Sequence, residues 1–508
     1  MVVEPKGWYR WYALGLLSLL NILSYVDRNV IFGLFEPIKR DLGLTDGQLG
    51  WLGSAYVLLF SVAAFPMGVL SDLRSRRAVV ATGVTVWSVF TALGGLARSF
   101  GALFGVRAVV GIGGAAFGPA SNSLVADYFP GPRRALAIGI LSAGVPVGGA
   151  IGFWAGAQLN EVYGWRVAFM AVGLPGILLA VLAGRLIDPN RSPEPVHLLK
   201  LLRRFELGLT TVLRQFEPLL LASILGAIGA WWVDQQYGAT SAADVAVMAT
   251  AVGVGLAANI AWWFWQIHRD RIADTPFGPG VTGPMGDVLE EFARAFRMVL
   301  HTPTLLFVFL AGAMISFGLN GLVAWGPSFA ARALGWTMRE ATVQLAVPAV
   351  IAGTFGTLAG GAIADWLRRF TDSSRIVTTA IGMLVGGPIA MYALTVRDPV
   401  LFTRLFGVGF FFLTWYNGPL SAVIFDVVPS RISATAMGAY LMFIHVAGDA
   451  IALPLVGNLS DRFGLDRAIL ILPFVSITGG IVVMFATRYI RRDMMRAALP
   501  TAEYQAVI

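Results

Sequence analysis

Long stretches without a charged residue constrain this chain more than any other feature. Residues 11–26, 47–71 and 245–267 contain no Asp, Glu, Lys or Arg. A helix that crosses about 30 Å of hydrocarbon needs about 20 such residues, and it satisfies its own backbone hydrogen bonds. The stretches lack the ~10-residue alternation that is typical of membrane β-barrels. We therefore predict an all-α integral membrane protein.

Fourteen hydrophobic segments can be drawn along the 508 residues. They are residues 9–35, 47–71, 79–97, 102–127, 135–159, 167–187, 217–234, 242–267, 304–330, 341–366, 376–396, 400–428, 433–458 and 467–488. The seventh segment is the weakest, because its uncharged part covers only about 24 Å at 1.5 Å per residue. Charged residues make up 13% of the chain, whereas a soluble domain carries about 25%, which also favours lipid as the solvent.

Arginines cluster in alternate connections between these segments, which sets the predicted orientation. The predicted cytoplasmic clusters are Arg74, Arg76 and Arg77, then Arg133 and Arg134, Arg203 and Arg204, Arg269 and Arg271, Arg368 and Arg369, and Arg491 and Arg492. Both termini are then cytoplasmic, and the first segment is expected to be a retained span rather than a cleaved signal. The arginine content and the absence of cysteine favour a multi-pass protein of a bacterial inner (plasma) membrane.

An internal repeat divides the chain into two halves. Residues 68–72 read GVLSD and 361–365 read GAIAD, and arginines follow both. Each half then holds six spans, so residues 1–190 form an N-terminal six-helix bundle and residues 303–508 form a C-terminal one. Residues 191–302 are the connection, with amphipathic helices and a two-helix insert that brings the total to fourteen spans.

The first copy of the repeat, Gly68-x-x-x-Asp72-x-Arg74-x-Arg76-Arg77, resembles the signature loop of the major facilitator superfamily. A carboxylate beside arginines at a helix end can lock two helices in one state and release them in another. A cluster that serves only membrane topology is the alternative. The gating candidates from both copies are Asp72, Arg76, Arg77, Asp365 and Arg368.

Further segments resemble the spinster family of lipid transporters. They are residues 24–28 (SYVDR), 318–327 (GLNGLVAWGP), 417–419 (NGP) with 427–431 (VVPSR), and 443–449 (FIHVAGD). The resemblance implies proton-linked transport of amphipathic lipids such as lysophospholipids and sphingoid phosphates, with Asp27 and Arg28 as the first-span pair. Bacterial members of that family carry Gly-Glu-Ala in the fourth span, with the glutamate in the coupling site. This chain has Gly114 at that position.

Ionisable side chains inside the predicted spans mark the candidate site, because each costs at least ~2.5–3.5 kcal/mol and normally faces a cavity or a partner. The proton-coupling candidates are Asp27, His445 and Asp449. The last two are four residues apart and so share a helix face, and histidine exchanges protons near physiological pH. The substrate-binding candidates are Arg28, Arg107, Asn320 and Asn417. Fixed ion pairs, or snorkelling in the case of Arg107, are the alternatives.

These features predict a proton-coupled secondary transporter that moves an amphipathic anion or a lysolipid-like substrate by alternating access. Efflux of drug-like compounds, transport of small organic anions, and a membrane enzyme or receptor stay open as alternatives. No GxxxxGK[ST], HExxH or GxSxG motif occurs, so we expect no enzyme, no cofactor and no metal. The expected partners are membrane lipids, protons and the substrate, without nucleic acid, and the expected state is a monomer.

The two-helix insert makes a prediction about topology. Residues 237–244 should face the outside, so an impermeant thiol reagent should label Ser241→Cys in intact cells. The chain has no native cysteine, which removes any background. Ser373→Cys, in a predicted cytoplasmic connection, is the control that should react only after permeabilisation. A Ser241→Cys protein with the same requirement for permeabilisation would show that the insert does not cross the membrane twice.

Overall fold

The structure, a computed structural model, describes residues 7–73, 75–129, 133–188, 301–429 and 433–497, together with single positions between 218 and 299. Every regular element in those five ranges is helical. Eleven helical runs there are long and apolar enough to cross a membrane, and the 28-residue helix Asp46–Leu73 is a twelfth long one. The predicted all-α membrane fold is confirmed. The predicted spans 217–234 and 242–267 lie outside the continuously described residues, so the total of fourteen stays a prediction.

Each half contributes six long helical runs to one compact unit. The N-terminal bundle consists of α1 (Gly7–Asn29), a 3-10 turn (Val30–Leu34), α2 (Phe35–Leu42), α3 (Asp46–Leu73), α4 (Arg76–Gly94), α5 (Phe100–Ala115), α6 (Phe117–Tyr128), α7 (Arg134–Ser142), α8 (Gly144–Tyr163) and α9 (Trp165–Gly184). The C-terminal bundle consists of α10 (Pro303–Leu334), α11 (Met338–Leu367), α12 (Ser374–Ala393), α13 (Pro399–Leu413), α14 (Asn417–Val427), α15 (Ser433–Ile444), a π-turn (His445–Asp449), α16 (Ala450–Phe463), α17 (Leu465–Ala468), α18 (Ile471–Met484) and α19 (Ile490–Ala497).

The internal repeat appears in the joints between helices. Gly43 and Gly335 end the first span of each half with φ of 63° and 69°, and Gly164 and Gly464 separate the fifth from the sixth span with φ of 81° in both. A residue with a side chain rarely adopts these left-handed angles, whereas glycine does so without steric cost. The chain therefore reverses direction at equivalent places in both bundles.

Polar and apolar side chains are distributed as lipid requires. Large apolar side chains such as Leu178, Phe355 and Leu358 are more than 60% exposed. Charged side chains such as Asp27 and Arg107 are 1% exposed. Water would penalise that much exposed apolar surface, while a bilayer accepts it.

Strong ion pairs join the two bundles at one end. We term the end that holds Gly7 and Arg488 the near end, and the end that holds Gly43 and Gly335 the far end. At the far end Arg332 of α10 crosses to the N-terminal bundle, where its guanidinium lies 2.7 Å from Glu36 and 2.6 Å from Asp46. Such charge-assisted bonds to two carboxylates are strong and geometrically specific.

A second contact at the far end caps a helix across the bundle interface. The Asp461 carboxylate of α16 accepts hydrogen bonds from the backbone N–H groups of Asp46 and Gly47 at 2.8 and 2.7 Å. These are the first two residues of α3, where free N–H groups and the helix dipole favour an anion. Ser460 adds a 2.5 Å bond to the Asp46 carboxylate.

The contacts between the bundles are unevenly distributed along their length. Among the described residues, all side-chain hydrogen bonds and ion pairs that join the two bundles lie at the far end or halfway along the spans. Ion pairs at the near end, such as Arg76 with Asp127, stay within one bundle. The structure is therefore closed at the far end.

We expect Arg332→Ala to open the far end, because it leaves Asp46 and Glu36 without their shared cation. A change of about 1.4 kcal/mol shifts a two-state equilibrium tenfold, and loss of one partner from a partly buried pair reaches that size. Distances between spin labels at Leu96→Cys and Tyr392→Cys, both exposed near the far end, should gain a longer population. Arg397→Ala is the matched control, since Arg397 pairs with Asp466 inside one bundle. Unchanged distances with Arg332→Ala would exclude a clamp role.

Candidate functional site

Polar side chains from both bundles converge about halfway along the spans. Asn320 and Asp449 lie near the middle of the helical runs Pro303–Leu334 and Ala436–Phe463. Arg28 lies in the last turn of α1, and its guanidinium approaches the Asp449 carboxylate to 3.8 Å. Because Arg28 and Asp449 belong to different bundles, this ion pair spans the interface on which alternating access would act.

Asp449 is the most highly connected residue of the site. It ends the π-turn, in which one extra residue widens the helix, a feature that occurs often at functional sites. Its carboxylate accepts hydrogen bonds from Ser316 and, at 2.9 Å, from Asn320. The Nδ1 atom of His445 lies 2.7 Å away. Sequence spacing predicted the proximity of His445 and Asp449, but Ser316 was missed, although it lies one helical turn before Asn320.

Arg107 is bonded to the backbone at the end of α1. Its guanidinium donates to the carbonyl oxygens of Asp27 and Arg28 at 2.9 and 3.0 Å. The last carbonyl groups of an α-helix lack donors within the helix, and α1 ends at Asn29. Arg107 is 1% exposed. It therefore holds the end of α1 in this state, and its contact with substrate stays a prediction.

Asp27 is enclosed beside Arg107 and Thr91. It is 1% exposed, and neither carboxylate oxygen has a hydrogen-bond partner among the described residues. The Thr91 hydroxyl is likewise buried and unpartnered there. Asp27 and Arg28, adjacent in the sequence, therefore have different surroundings, and Arg28 pairs with Asp449 instead of with its neighbour.

A cavity of about 30 Å³ lies between these groups, which is large enough to hold water. Its polar lining includes Arg28, Arg107, Asn320 and Asp449, and Phe32, Val323 and Leu453 supply apolar surface. Tyr56, a second residue that the sequence did not single out, places its ring 5.8 Å from the Arg28 guanidinium and 5.2 Å from that of Arg107. Nothing in the sequence separates Tyr56 from the other aromatic residues of the spans.

The Tyr56 ring also meets Gly114, the position at which the resemblance led us to expect a glutamate. A Cβ atom added at Gly114 would lie 2.9 Å from the Tyr56 hydroxyl. A longer side chain there would require Tyr56 to move. Two arginines therefore face an uncharged aromatic ring on this side of the site, and the carboxylate that faces Arg28 comes from the opposite bundle.

Asn417 lies apart from this cluster. It is exposed on α14, and its amide donates to the Thr357 hydroxyl at 3.2 Å.

The gating candidates occupy the near end, where each bundle holds its own ion pairs. Arg76 lies 2.5 Å from Asp127 and 2.8 Å from Asp188, and Arg77 donates to the Leu186 carbonyl. In the second half, Asp426 pairs with Arg375 and, at 3.3 Å, with Arg368. Asp365 is exposed, and the side chain of Asp72 lies outside the described atoms. Asp127 was not among the predicted gating residues, although the pattern Asp-x-x-Pro recurs at 127–130 and 426–429.

Comparisons with known proteins agree with this fold. The sequence profile of the Major Facilitator Superfamily matches residues 17–240 and 218–448. An MFS-type efflux pump of Mycolicibacterium smegmatis is 25% identical over 96% of this chain and 95% of its own. Protein spinster homolog 3 of Danio rerio is 24% identical over 97% and 88%.

A solved structure gives the same fold. It is a bacterial homolog of the human lysosomal transporter spinster in an inward-facing, unoccupied conformation, with a TM-score of 0.70 and 21% identity over 96% of this chain and 99% of that one. The chain therefore belongs to the major facilitator superfamily and resembles spinster proteins over nearly its whole length.

Proposed function

We propose that this protein is a proton-coupled secondary transporter that moves an amphipathic anion or a lysolipid-like substrate by alternating access. The observation that carries the proposal is the 3.8 Å pair between Arg28 and Asp449, with His445 2.7 Å from the same carboxylate. A cation that faces a carboxylate across two moving bodies changes partner when the bodies separate or when another anion arrives. The pair can thus report both the transport state and the occupancy of the site.

The proposed cycle begins with a proton that reaches the Asp449 carboxylate through His445. Neutral Asp449 no longer compensates Arg28, and a buried unpaired cation is costly. The anionic group of the substrate then binds Arg28, while aromatic and aliphatic side chains such as Phe32 take its apolar part. Loss of the proton restores the Arg28–Asp449 pair and displaces the anion. In this scheme a proton and the substrate move in the same direction.

The other polar residues of the site support that exchange. We propose that Arg107 positions Arg28 through the backbone, and that Ser316 and Asn320 hold the Asp449 carboxylate in place. Asn417 would contact a part of the substrate distant from Arg28. Asp27 is the alternative proton site, because an ionised carboxylate without a hydrogen bond is costly and a proton on Asp27 would remove that cost.

The two ends of the bundles would act as gates. We propose that the far-end clamp at Arg332 opens in the second half of the cycle. The near end, which would face the cytoplasm together with both termini, closes at that stage. Asp72 and Asp365 lie in equivalent last turns and would stabilise that near-end-closed state, together with Arg76, Arg77 and Arg368. We further propose that the protein works as a monomer in the inner membrane.

Similarity to spinster proteins supports a lipid-like substrate, while similarity to the mycobacterial efflux pump supports export of drug-like compounds as the alternative. Flux into proteoliposomes separates these classes from a membrane enzyme or receptor, neither of which moves a substrate. We expect lysophosphatidic acid or sphingosine phosphate to accumulate inside the vesicles when the outside is more acidic than the lumen. Accumulation of cationic drugs when the lumen is more acidic than the outside would favour the efflux alternative.

The first prediction for the site compares Arg28→Ala with Asp449→Asn. Arg28→Ala should weaken substrate binding by at least tenfold, because a buried charge contact contributes about 2–5 kcal/mol. Asp449→Asn should abolish accumulation under a pH gradient, yet preserve binding, since its amide cannot exchange the proton. Asp466→Asn, which changes an exposed carboxylate at the far end, is the control. Accumulation by Asp449→Asn equal to wild type would exclude Asp449 as the coupling residue.

The second prediction separates Asp27 from Asp449. We expect Asp27→Asn to retain accumulation under a pH gradient at no less than about one third of the wild-type rate, because Arg28 takes its counter-ion from Asp449. Its thermal stability should equal or exceed that of wild type, since the neutral amide removes a buried ionisable group. Uptake driven by a pH gradient and unfolding by differential scanning fluorimetry would be measured on the same preparations. If Asp27→Asn lost coupling to the pH gradient and Asp449→Asn did not, the proton would bind at Asp27 in the first span.

A further inference from the structure

A second cavity opens at the near end, away from the site between the bundles. Its volume is about 250 Å³, and it lies where the first turn of α1 meets the start of α7. It is lined by Gly7, Trp8, Arg10, Trp11, Phe129 and Arg133. None of these residues lines the cavity beside Arg28 and Asp449.

The lining is basic. Arg10 and Arg133 bring two guanidinium groups to the cavity, and Arg134 is exposed next to it. Arg133 is exposed and has no ion pair with any described residue. It also occupies the N-cap position of α7, where the positive end of the helix dipole adds to the potential. The cavity therefore favours a ligand with a negative charge.

The walls and the surface beside the cavity are suited to lipid. Trp8 is 68% exposed and Trp11 48% exposed, and Trp11 packs edge-on against Phe129 at 5.1 Å. Tryptophan is enriched at the level of lipid headgroups. The adjoining faces of α1 and α7 expose Tyr12, Leu19, Leu136 and Ile140, which offer apolar surface to acyl chains.

We propose that this cavity binds the headgroup of an anionic glycerophospholipid from the surrounding bilayer. Pockets that enclose a whole ligand measure roughly 300–1,000 Å³, so a cavity of about 250 Å³ suits a headgroup whose chains lie outside. Basic pockets between membrane helices on the cytoplasmic side bind such headgroups. The bound lipid would join the start of α1, which carries Arg28 at its other end, to the α7–α8 span.

The test uses the full chain in a neutral detergent, with dioleoylphosphatidylglycerol as the probe and dioleoylphosphatidylcholine as the uncharged comparison. We expect only the anionic lipid to raise the melting temperature. Arg133→Gln should weaken its apparent affinity about fivefold, the equivalent of about 1 kcal/mol for one arginine near a lipid surface. Trp8→Ala, which removes a largely exposed side chain, should also weaken binding. Arg98→Gln, an exposed arginine near the far end, should bind as wild type does.

Two further arms distinguish the headgroup site from the substrate site and from a site for soluble anions. Arg28→Ala should retain the full effect of the anionic lipid, because the proposed substrate site is elsewhere, and loss of the effect there would identify the lipid as cargo. Stabilisation by sn-glycerol 3-phosphate alone would identify a site for a soluble anion and overturn the lipid proposal. If Arg133→Gln, Trp8→Ala and Arg98→Gln all bound the anionic lipid with equal affinity, the stabilisation would come from general charge attraction. That result would also overturn the proposal.

Discussion

A charge in the middle of a membrane protein needs a counter-ion or hydrogen-bond partners, and the placement of the buried arginines in this molecule follows from that constraint. Arg28 meets it with a carboxylate on the opposite bundle, at 3.8 Å. Arg107 meets it with two backbone carbonyl groups that the end of α1 leaves free. The first solution ties the two bundles together, whereas the second lies wholly within one of them. A relative movement of the bundles therefore disturbs Arg28 and leaves Arg107 in place.

The same contrast recurs along the length of the molecule. At the far end Arg332 and Asp461 contact groups of the other bundle, including the first backbone N–H groups of α3. At the near end Arg76 and Arg375 pair with the carboxylates of Asp127 and Asp426 in their own bundles. Each bundle can thus remain rigid while the contacts at the far end break. Such a division of polar contacts suits a movement of rigid bodies.

Local spacing and self-similarity made much of this predictable from sequence. The uncharged stretches gave the fold class, and the four-residue spacing placed His445 beside Asp449. The partner of Arg28 was not predictable, because nothing in sequence indicates which element of the second half approaches the end of α1. The far-end clamp was missed for the same reason, since Arg332 and Asp46 are 286 residues apart. The bonds from Arg107 to the carbonyl groups of Asp27 and Arg28 were also missed, because the start of a 3-10 turn after Asn29 has no recognisable sequence pattern.

The π-turn at His445–Asp449 lets the two helices that it joins, α15 and α16, take up orientations that a continuous α-helix would link. In a regular helix, the angular position of every side chain is fixed by that of its neighbours. One additional residue in the turn rotates the segment before it relative to the segment after it. The surface that α15 offers to lipid and the surface that α16 offers to α3 can therefore be set independently. Deletion of a single residue within the turn would rotate α15 relative to α16. Both surfaces would then face different neighbours, although no residue in either surface had been substituted.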